Sequence, residues 1–151
     1  MPGADSVVSD SHGSGTRRDM TARIAQLTLD VIDPVKMAEF WSLALGYRVV
    51  PDEGGSIHLV PPDDETAGAP TMWLQPVDEP KQRKNRCHPD LEAADPPREV
   101  ERLIALGAAR SDVGQIGDEG FVVLVDPEGN DFCVLDAPLE PTRELTSWST
   151  S

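Results

Sequence analysis

The stretch GFVVLVDPEGNDFCVL, residues 120–135, decides the fold. Its first half is an apolar run rich in β-branched residues, which is typical of a buried strand. The four residues DPEG then suit a type I turn, because Asp126 favours the first position, Pro127 presets φ at the second and Gly129 suits the fourth. Residues 132–135 return as a second strand. The stretch therefore predicts a β-hairpin.

The composition limits the partners that the protein can have. The 151 residues include 27 acidic and 13 basic side chains, which gives a formal net charge of −14. Nucleic acids and anionic membrane surfaces attract positively charged proteins, so we expect neither as a partner. No apolar run approaches the roughly 20 residues of a membrane helix. The acidity serves solubility or, as a sharper alternative, attracts a cationic ligand.

Both ends of the chain are predicted to be tails. Residues 1–20 are rich in Gly, Ser and Asp, show no periodicity and lack the apolar core of a signal peptide. Residues 138–151 look similar, although Trp148 is unusual in a tail. The predicted folded part is therefore 22–137. The two cysteines do not make a disulfide framework, so a reducing cytoplasm is the expected compartment.

The first half of the folded part has the pattern βαβββ. Residues 24–32 alternate between apolar and polar side chains, as a half-buried strand does. Asp33 suits the N-cap of a helix, Pro34 suits its first position and Gly46 suits its end. Three further strands are predicted in this half, at 47–51, 56–60 and 71–77.

The second half has the same order of elements. A strand is predicted at 87–93, with His88 and Asp90 on one face. A helix follows from Asp95, again a good N-cap, to Gly107. The remaining predicted strands are a weak one at 109–113 and the two strands of the hairpin, 121–125 and 132–135.

The two halves agree in register as well as in order. Gln26 lies seven residues before the cap Asp33, and His88 lies seven residues before the cap Asp95. Agreement of the strand, the cap, the helix and the terminal glycine in one order predicts an internal duplication. The two modules are expected at about 22–78 and 86–137.

Two tandem βαβββ modules with these motifs resemble the vicinal oxygen chelate superfamily, which includes glyoxalase I, bleomycin-resistance proteins and extradiol dioxygenases. The motifs are KNRCHPDL at residues 84–91 and DPEGNDFCVL at residues 126–135, which together are similar to one branch of glyoxalase-like domains. The resemblance implies an α+β fold whose two modules form a cupped mixed sheet. It also implies that the inner face of the cup holds the site.

The resemblance further implies where a metal would be held. The family's metal enzymes place ligands on the first and last strands of each module, and the matching positions here are Gln26, Gln75, His88 and Cys133. The carboxylates that such enzymes carry are missing from these positions. No cofactor is therefore expected, and a divalent metal on those four residues is the alternative.

Several side chains are predicted to line the cup. His88 and Asp90 form a candidate acid–base pair, and the alternative is a histidine that is only hydrogen-bonded within the sheet. Trp73 could stack on a flat ligand or pack in the core. Cys133 could line the site or act as a small apolar filler. The predicted ligand contacts are Gln26, Thr28, Asp30, Trp73, Gln75 and Cys133.

A basic segment, KQRKNR at residues 81–86, joins the two modules. It is interpreted either as a lid that meets an anionic substrate group or as a solvated linker. Taken together, the sequence predicts a glyoxalase-like protein that binds a small organic molecule, with proton-transfer chemistry if it is an enzyme. The alternatives are a drug-sequestering protein without chemistry and a metal-dependent glyoxalase or dioxygenase. The family resemblance also implies a homodimer.

Overall fold

The computed structural model of the chain describes residues 22–63, 68–112 and 119–139. The predicted tail 1–20 and all of the predicted tail 138–151 beyond residue 139 lie outside the described residues. The first module consists of β1 (Gln26–Val31), α1 (Pro34–Leu45), β2 (Arg48–Pro51), a short 3-10 turn (Glu53–Gly55), β3 (Ile57–Val60) and β4 (Thr71–Pro76). The second consists of β5 (Asp90–Leu91), α2 (Pro96–Leu106), β6 (Ala109–Arg110), β7 (Phe121–Val125) and β8 (Asp131–Leu135).

Each module forms one four-stranded mixed sheet. The strand orders are β1-β4-β3-β2 and β5-β8-β7-β6, which are the same order in the two modules. In each sheet the first and last strands of the module pair in parallel, and the other pairs are antiparallel. The predicted α+β fold with two βαβββ modules is confirmed. Neither of the two described helices is long and apolar enough to cross a bilayer.

The helix boundaries follow the local signals in the sequence. The Asp33 carboxylate accepts a hydrogen bond of 3.0 Å from the backbone N–H of Lys36, and Asp95 accepts one of 3.2 Å from Arg98. Gly46 ends α1 with φ of 69°, a left-handed conformation that glycine adopts without strain. Both predicted helices are therefore confirmed together with their caps.

The hairpin that decided the fold is also confirmed. Phe121 pairs with Leu135 and Val125 pairs with Asp131, so the returning strand begins one residue earlier than predicted. The turn is closed by a hydrogen bond of 2.9 Å from the Gly129 N–H to the Asp126 carbonyl oxygen. The Asp126 carboxylate also accepts the backbone N–H groups of residues 128 and 130, which fixes the turn from inside.

The first strand of the second module is shorter than the predicted 87–93. Cys133 N–H donates to the Pro89 carbonyl oxygen at 3.0 Å, but Pro89 has no N–H with which to extend the ladder. Regular pairing is confined to Asp90–Leu91, and His88 lies just before the strand. The weak strand predicted at 109–113 is confirmed for Ala109–Arg110, while residue 113 lies outside the described residues. The other predicted strands are confirmed with ends shifted by one or two residues.

The core joins the two modules through aromatic rings. Trp41 of α1 packs edge-on against Phe132 of β8, with ring centroids 5.1 Å apart, and Phe40 completes the cluster at 6.1 Å from Phe132. All three side chains are almost fully buried. Edge-to-face pairs of this kind stabilise a core beyond the area that they bury. The modules therefore share one hydrophobic core.

Both ends of α1 are held by side chains of the second module. The Glu128 carboxylate accepts the backbone N–H groups of Ile32 and Asp33 at 2.7 and 2.9 Å. At the other end, the Arg102 guanidinium donates to the carbonyl oxygens of Leu43 and Ala44, each at 3.0 Å. An anion at the N-terminus and a cation at the C-terminus both match the helix dipole. The relative position of the modules is thus fixed by charge as well as by packing.

Candidate functional site

Strand alternation separates the predicted site residues from the core. In β1 and β4 the buried side chains are Val31, Met72 and Leu74, which pack in the core with α1. The intervening residues point to the opposite face of the sheet. That face carries five of the predicted ligand contacts: Gln26, Thr28, Asp30, Trp73 and Gln75.

A histidine that the sequence analysis did not identify lies in the middle of this face. His58 of β3 is paired with Trp73 across the sheet, and the two ring centroids are 5.3 Å apart. His58 Nε2 and Thr71 Oγ1 share a hydrogen bond of 3.0 Å, and Thr71 Oγ1 donates to Gln26 Oε1 at 3.4 Å. The signal that would have found this group is the pairing of β3 with β4, which places His58 opposite Trp73.

The two glutamine oxygens on this face are already occupied. Gln75 Oε1 accepts a hydrogen bond of 2.9 Å from the indole Nε1 of Trp73, and Gln26 Oε1 accepts the Thr71 hydroxyl. Each amide oxygen keeps a second lone pair, but the hydrogen bond orients it and a metal ion would have to share it. Gln26 and Gln75 are therefore weaker metal ligands than the predicted alternative set requires.

The predicted residues of the second module come together. His88 Nδ1 lies 3.2 Å from Asp90 Oδ1 and 3.9 Å from Cys133 Sγ. The parallel pairing of Asp90 with Cys133 places these two side chains next to each other on one face. All three groups lie within 4.8 Å of one another. The loop position of His88 lets the ring fold back over the strand that follows it.

The Cys133 side chain is a neutral thiol in this setting. Burial, followed by the hydrogen bond to Asp90 and the nearby charges of Asp90 and Asp131, raises the pKa of the Cys133 thiol to about 11. The Asp90 carboxylate thus accepts two hydrogen bonds, one from His88 and one from Cys133. The three residues form a closed hydrogen-bonded group with a single carboxylate at its centre.

His88, Asp90 and Cys133 are the candidate ligands for the metal that the resemblance implies. Three donors at this spacing agree with a divalent ion in number and distance. A metal bound here would be held by His88, Asp90 and Cys133 and would supply Lewis-acid polarisation of a ligand oxygen. Asp90 replaces Gln26 and Gln75 in that set, and the thiol must first lose its proton.

His88 lines two cavities. One, of about 230 Å³, lies in the seam between the modules and is lined by Thr28, Trp41 and Met72 as well as His88. The other, of about 150 Å³, is lined by Phe121, Val123, Asp131, Cys133, Lys84 and His88. Thr28 is thus the predicted residue of the first module that shares a cavity with His88. Asp30 lies further out, in an open groove beside Lys81 and Arg83.

Solved structures with the same fold were found. A mutant of the fosfomycin resistance protein FosX from Listeria monocytogenes, complexed with Mn(II) and 1S,2S-dihydroxypropylphosphonic acid, superimposes with a TM-score of 0.61 at 16% identity, covering 80% of this chain and 94% of that chain. A glyoxalase/bleomycin resistance protein/dioxygenase family enzyme from Burkholderia phytofirmans gives 0.55 at 16% identity, covering 75% and 97%. UcmS2 gives 0.57 at 22% identity, covering 78% and 100%. At these identities the likeness establishes the fold alone.

The sequence itself also matches a known family. No curated protein is similar enough to match the chain. The family model described as "Glyoxalase-like domain" matches residues 26–135, which span both modules from the first residue of β1 to the last residue of β8. The chain therefore belongs to the glyoxalase-like domain family.

Proposed function

We propose that the protein binds a small organic molecule beside His88 and moves a proton on it, as an isomerase, epimerase or lyase does. The observation that carries this proposal is the 3.2 Å contact between Asp90 and His88, a histidine whose side chain lines two cavities. Histidine titrates near neutral pH, which suits a group that both takes up and returns a proton. Of the ligand contacts predicted from the sequence, Thr28 and Cys133 line these cavities and are the proposed contacts, whereas Gln26, Asp30, Trp73 and Gln75 line neither.

The two residues have different roles in the proposed reaction. Asp90 holds Nδ1 of His88 and favours the tautomer that carries its proton there, so Nε2 is the atom that meets the ligand. Nε2 takes a proton from a C–H or O–H bond, and the bonding electron pair stays on the ligand. The imidazolium that forms is stabilised by the Asp90 carboxylate. Return of the proton to another ligand atom gives the isomer.

We also propose that this chemistry needs no tightly bound metal. The Cys133 thiol keeps its proton at neutral pH, and the oxygens of Gln26 and Gln75 already accept hydrogen bonds. His88 and Asp90 alone are a weak pair of donors for a divalent ion. A metal-dependent glyoxalase or dioxygenase is the alternative, and the spacing of His88, Asp90 and Cys133 is the observation in its favour.

A second candidate function is sequestration of a drug without chemistry. The net charge of −14 favours this reading for a cationic drug, because a negative field attracts such a molecule. Fosfomycin resistance proteins are among the solved structures with the same fold. Turnover separates the two functions, because a sequestering protein returns its ligand unchanged.

The test is a proton-exchange assay in D₂O. Small ketones, hydroxy acids and keto acids are incubated with the full chain, and loss of each C–H signal is followed by NMR. His88→Ala should slow the exchange by about 100-fold or more, which is the usual contribution of a general base. His58→Ala is the matched control, because His58 lies on the sheet of the other module, and it should keep most of the rate. Ligand binding without any exchange would favour sequestration instead.

We further propose that the protein works as a homodimer in the cytoplasm. Cys87 is an exposed free thiol and Cys133 a buried one, and free thiols are stable in a reducing compartment. The dimer is an analogy with the family, whose members often pair modules between chains.

A further inference from the structure

The basic segment between the modules is held in place at both ends. Lys81 Nζ donates to the Gly129 carbonyl oxygen at 2.6 Å and lies 3.5 Å from Asp131 Oδ2. Four residues later, the Asn85 side-chain oxygen accepts the Asp131 N–H at 3.1 Å. Residues 81–85 therefore form an arch, fixed at each foot to the start of β8. The arch gives the residues between its feet a defined position.

One cation of the arch faces the site. Lys84 lines the cavity of about 150 Å³ together with His88 and Cys133, whereas Arg83 lines the open groove on the outer side. The charge of Lys84 also acts on the Cys133 thiol, where it opposes the upward shift of the pKa. The ammonium group and the proposed base therefore belong to one site.

Lys84 forms no ion pair within the described residues. Asp131 lines the same cavity, but its buried carboxylate is paired with Lys81. Asp90 is hydrogen-bonded to His88, and this contact offsets its negative charge only when His88 is protonated. The cavity thus offers an ammonium group that no described carboxylate contacts directly, although the whole chain is strongly negative, and screening beyond about 10 Å favours such a near charge.

The rest of the cavity wall suits a small apolar body. Phe121 and Val123 come from β7 and provide apolar surface beside the polar group. A cavity of about 150 Å³ accommodates a molecule of about the size of benzene. The shape and the polarity of the site therefore agree on a compact ligand with one charged end.

From these contacts we infer that the ligand is a small organic anion, no larger than about a benzoate. Its carboxylate, or a similar anionic group, binds Lys84, its apolar body lies on Phe121 and Val123, and its reacting atom faces His88. This inference rests on the proposed function and assigns a substrate class to the same site. It opposes the cationic ligand that the net charge favours.

Three probes of similar shape and different charge test the ligand class. Benzoate, neutral benzamide and cationic benzylamine are titrated into the full chain, and binding is followed by the ring signals of His88 in NMR. Benzoate should bind about tenfold more tightly than benzamide, the usual gain from one charge-assisted hydrogen bond. Its affinity should fall as salt is added. Benzylamine should leave the His88 signals unchanged.

Variants of the arch test the assignment to Lys84. Lys84→Gln should weaken benzoate binding by about five- to tenfold and leave benzamide unaffected, while Lys84→Arg should restore most of the affinity. Arg83→Gln is the matched control: it removes the same charge from the same arch, but its side chain lines the other groove. It should change benzoate affinity by about twofold at most.

The outcomes separate this inference from the proposed function. Equal binding of benzoate and benzamide, preference for benzylamine, or equal losses in the Lys84 and Arg83 variants would each overturn the anion site. The inference also fails if none of the three probes moves the His88 signals. Proton exchange that depends on His88 would still support the proposed function in all of these cases. If the wild-type protein binds benzoate through Lys84 but shows no proton exchange that depends on His88, the proposed function is overturned and the anion site stands.

Discussion

The indole Nε1 of Trp41 donates a hydrogen bond of 3.1 Å to Oδ2 of Asp126. Trp41 belongs to the helix of the first module, and Asp126 is the first residue of the hairpin turn of the second. Both are buried, with exposed fractions of 1% and 3%. Burial raises the pKa of Asp126, and its hydrogen bonds, including the one from Trp41, oppose this rise. A turn residue thus also fastens the two modules to each other.

We predict that Trp41→Phe destabilises the protein by about 2–4 kcal/mol at neutral pH, through the lost hydrogen bond to a buried carboxylate and the lost ring volume. The folded-state pKa of Asp126 is already above its ordinary value of 3.8, and loss of a donor raises it further. Stability that is present below that ordinary value is lost as pH rises through the folded pKa. The deficit of the variant should therefore grow as pH rises above 3.8, the ordinary value of this carboxyl. Urea unfolding at several pH values measures it.

The control for this prediction is Trp73→Phe. Trp73 loses a hydrogen bond to the neutral amide of Gln75, so its deficit should be about 1 kcal/mol and independent of pH over the same window. A Trp41→Phe deficit that is flat with pH would show that Asp126 is not the acceptor that matters.

Glu128 is predicted to be a second residue whose hydrogen bonds stabilise the packing of the two modules. Glu128→Ala removes the acceptor for two backbone N–H groups at the start of α1 and should lower the free energy of unfolding by about 2–3 kcal/mol. Glu128→Gln keeps one oxygen and should lose about half of that. Glu101→Ala breaks an exposed pair with Arg110 at 3.4 Å and should cost less than about 0.5 kcal/mol. Equal losses for Glu128→Ala and Glu101→Ala would contradict this role.

The two cysteines are predicted to differ in reactivity. Cys87 is exposed, whereas Cys133 is buried and has a pKa of about 11. Iodoacetamide at pH 7.5 should therefore label Cys87 first, and labelling of Cys133 should speed up about tenfold per pH unit toward its pKa. Asp90→Asn removes the negative charge that raises this pKa and leaves only a neutral acceptor oxygen, so it should accelerate labelling of Cys133. Peptide mass spectrometry reads both rates, and equal labelling at pH 7.5 would count against the neutral thiol.

We predict that the purified protein carries no stoichiometric, tightly bound divalent ion. His88 and Asp90 are coupled to each other, and the Cys133 thiol must lose a proton before it can bind a metal. Adventitious zinc should leave during dialysis against EDTA, as measured by elemental analysis. About one zinc, nickel or iron per chain that survives dialysis, and that His88→Ala abolishes, would instead identify a metalloenzyme.

A homodimer is the expected state in solution. Light scattering at micromolar concentration should give about twice the chain mass of 16.3 kDa. A mass equal to that of one chain would contradict the dimer, which is expected only by analogy with the family.

The helices and the hairpin turn could be predicted because their signals in the sequence are local. Asp33 and Asp95 each cap a helix within three residues of themselves, and the DPEG turn closes over four residues. Such contacts depend on backbone geometry that neighbouring residues set, so a linear pattern predicts them. The repeat of these signals was enough to predict two modules, and the motifs around His88 and Cys133 were enough to indicate the family.

The neighbours of the site residues could not be predicted from the sequence, because strand pairing and module packing bring them together. Strand register places Asp90 next to Cys133 and His58 next to Trp73. Pro89 shortens the predicted strand, so that His88 lies just before it. Lys84 faces the His88 cavity because the arch is fixed to β8 at both feet. The two strand pairs and the two contacts of the arch join residues that lie between 15 and 48 positions apart in the chain. Contacts at that separation depend on how strands pair and modules pack, which no local pattern specifies.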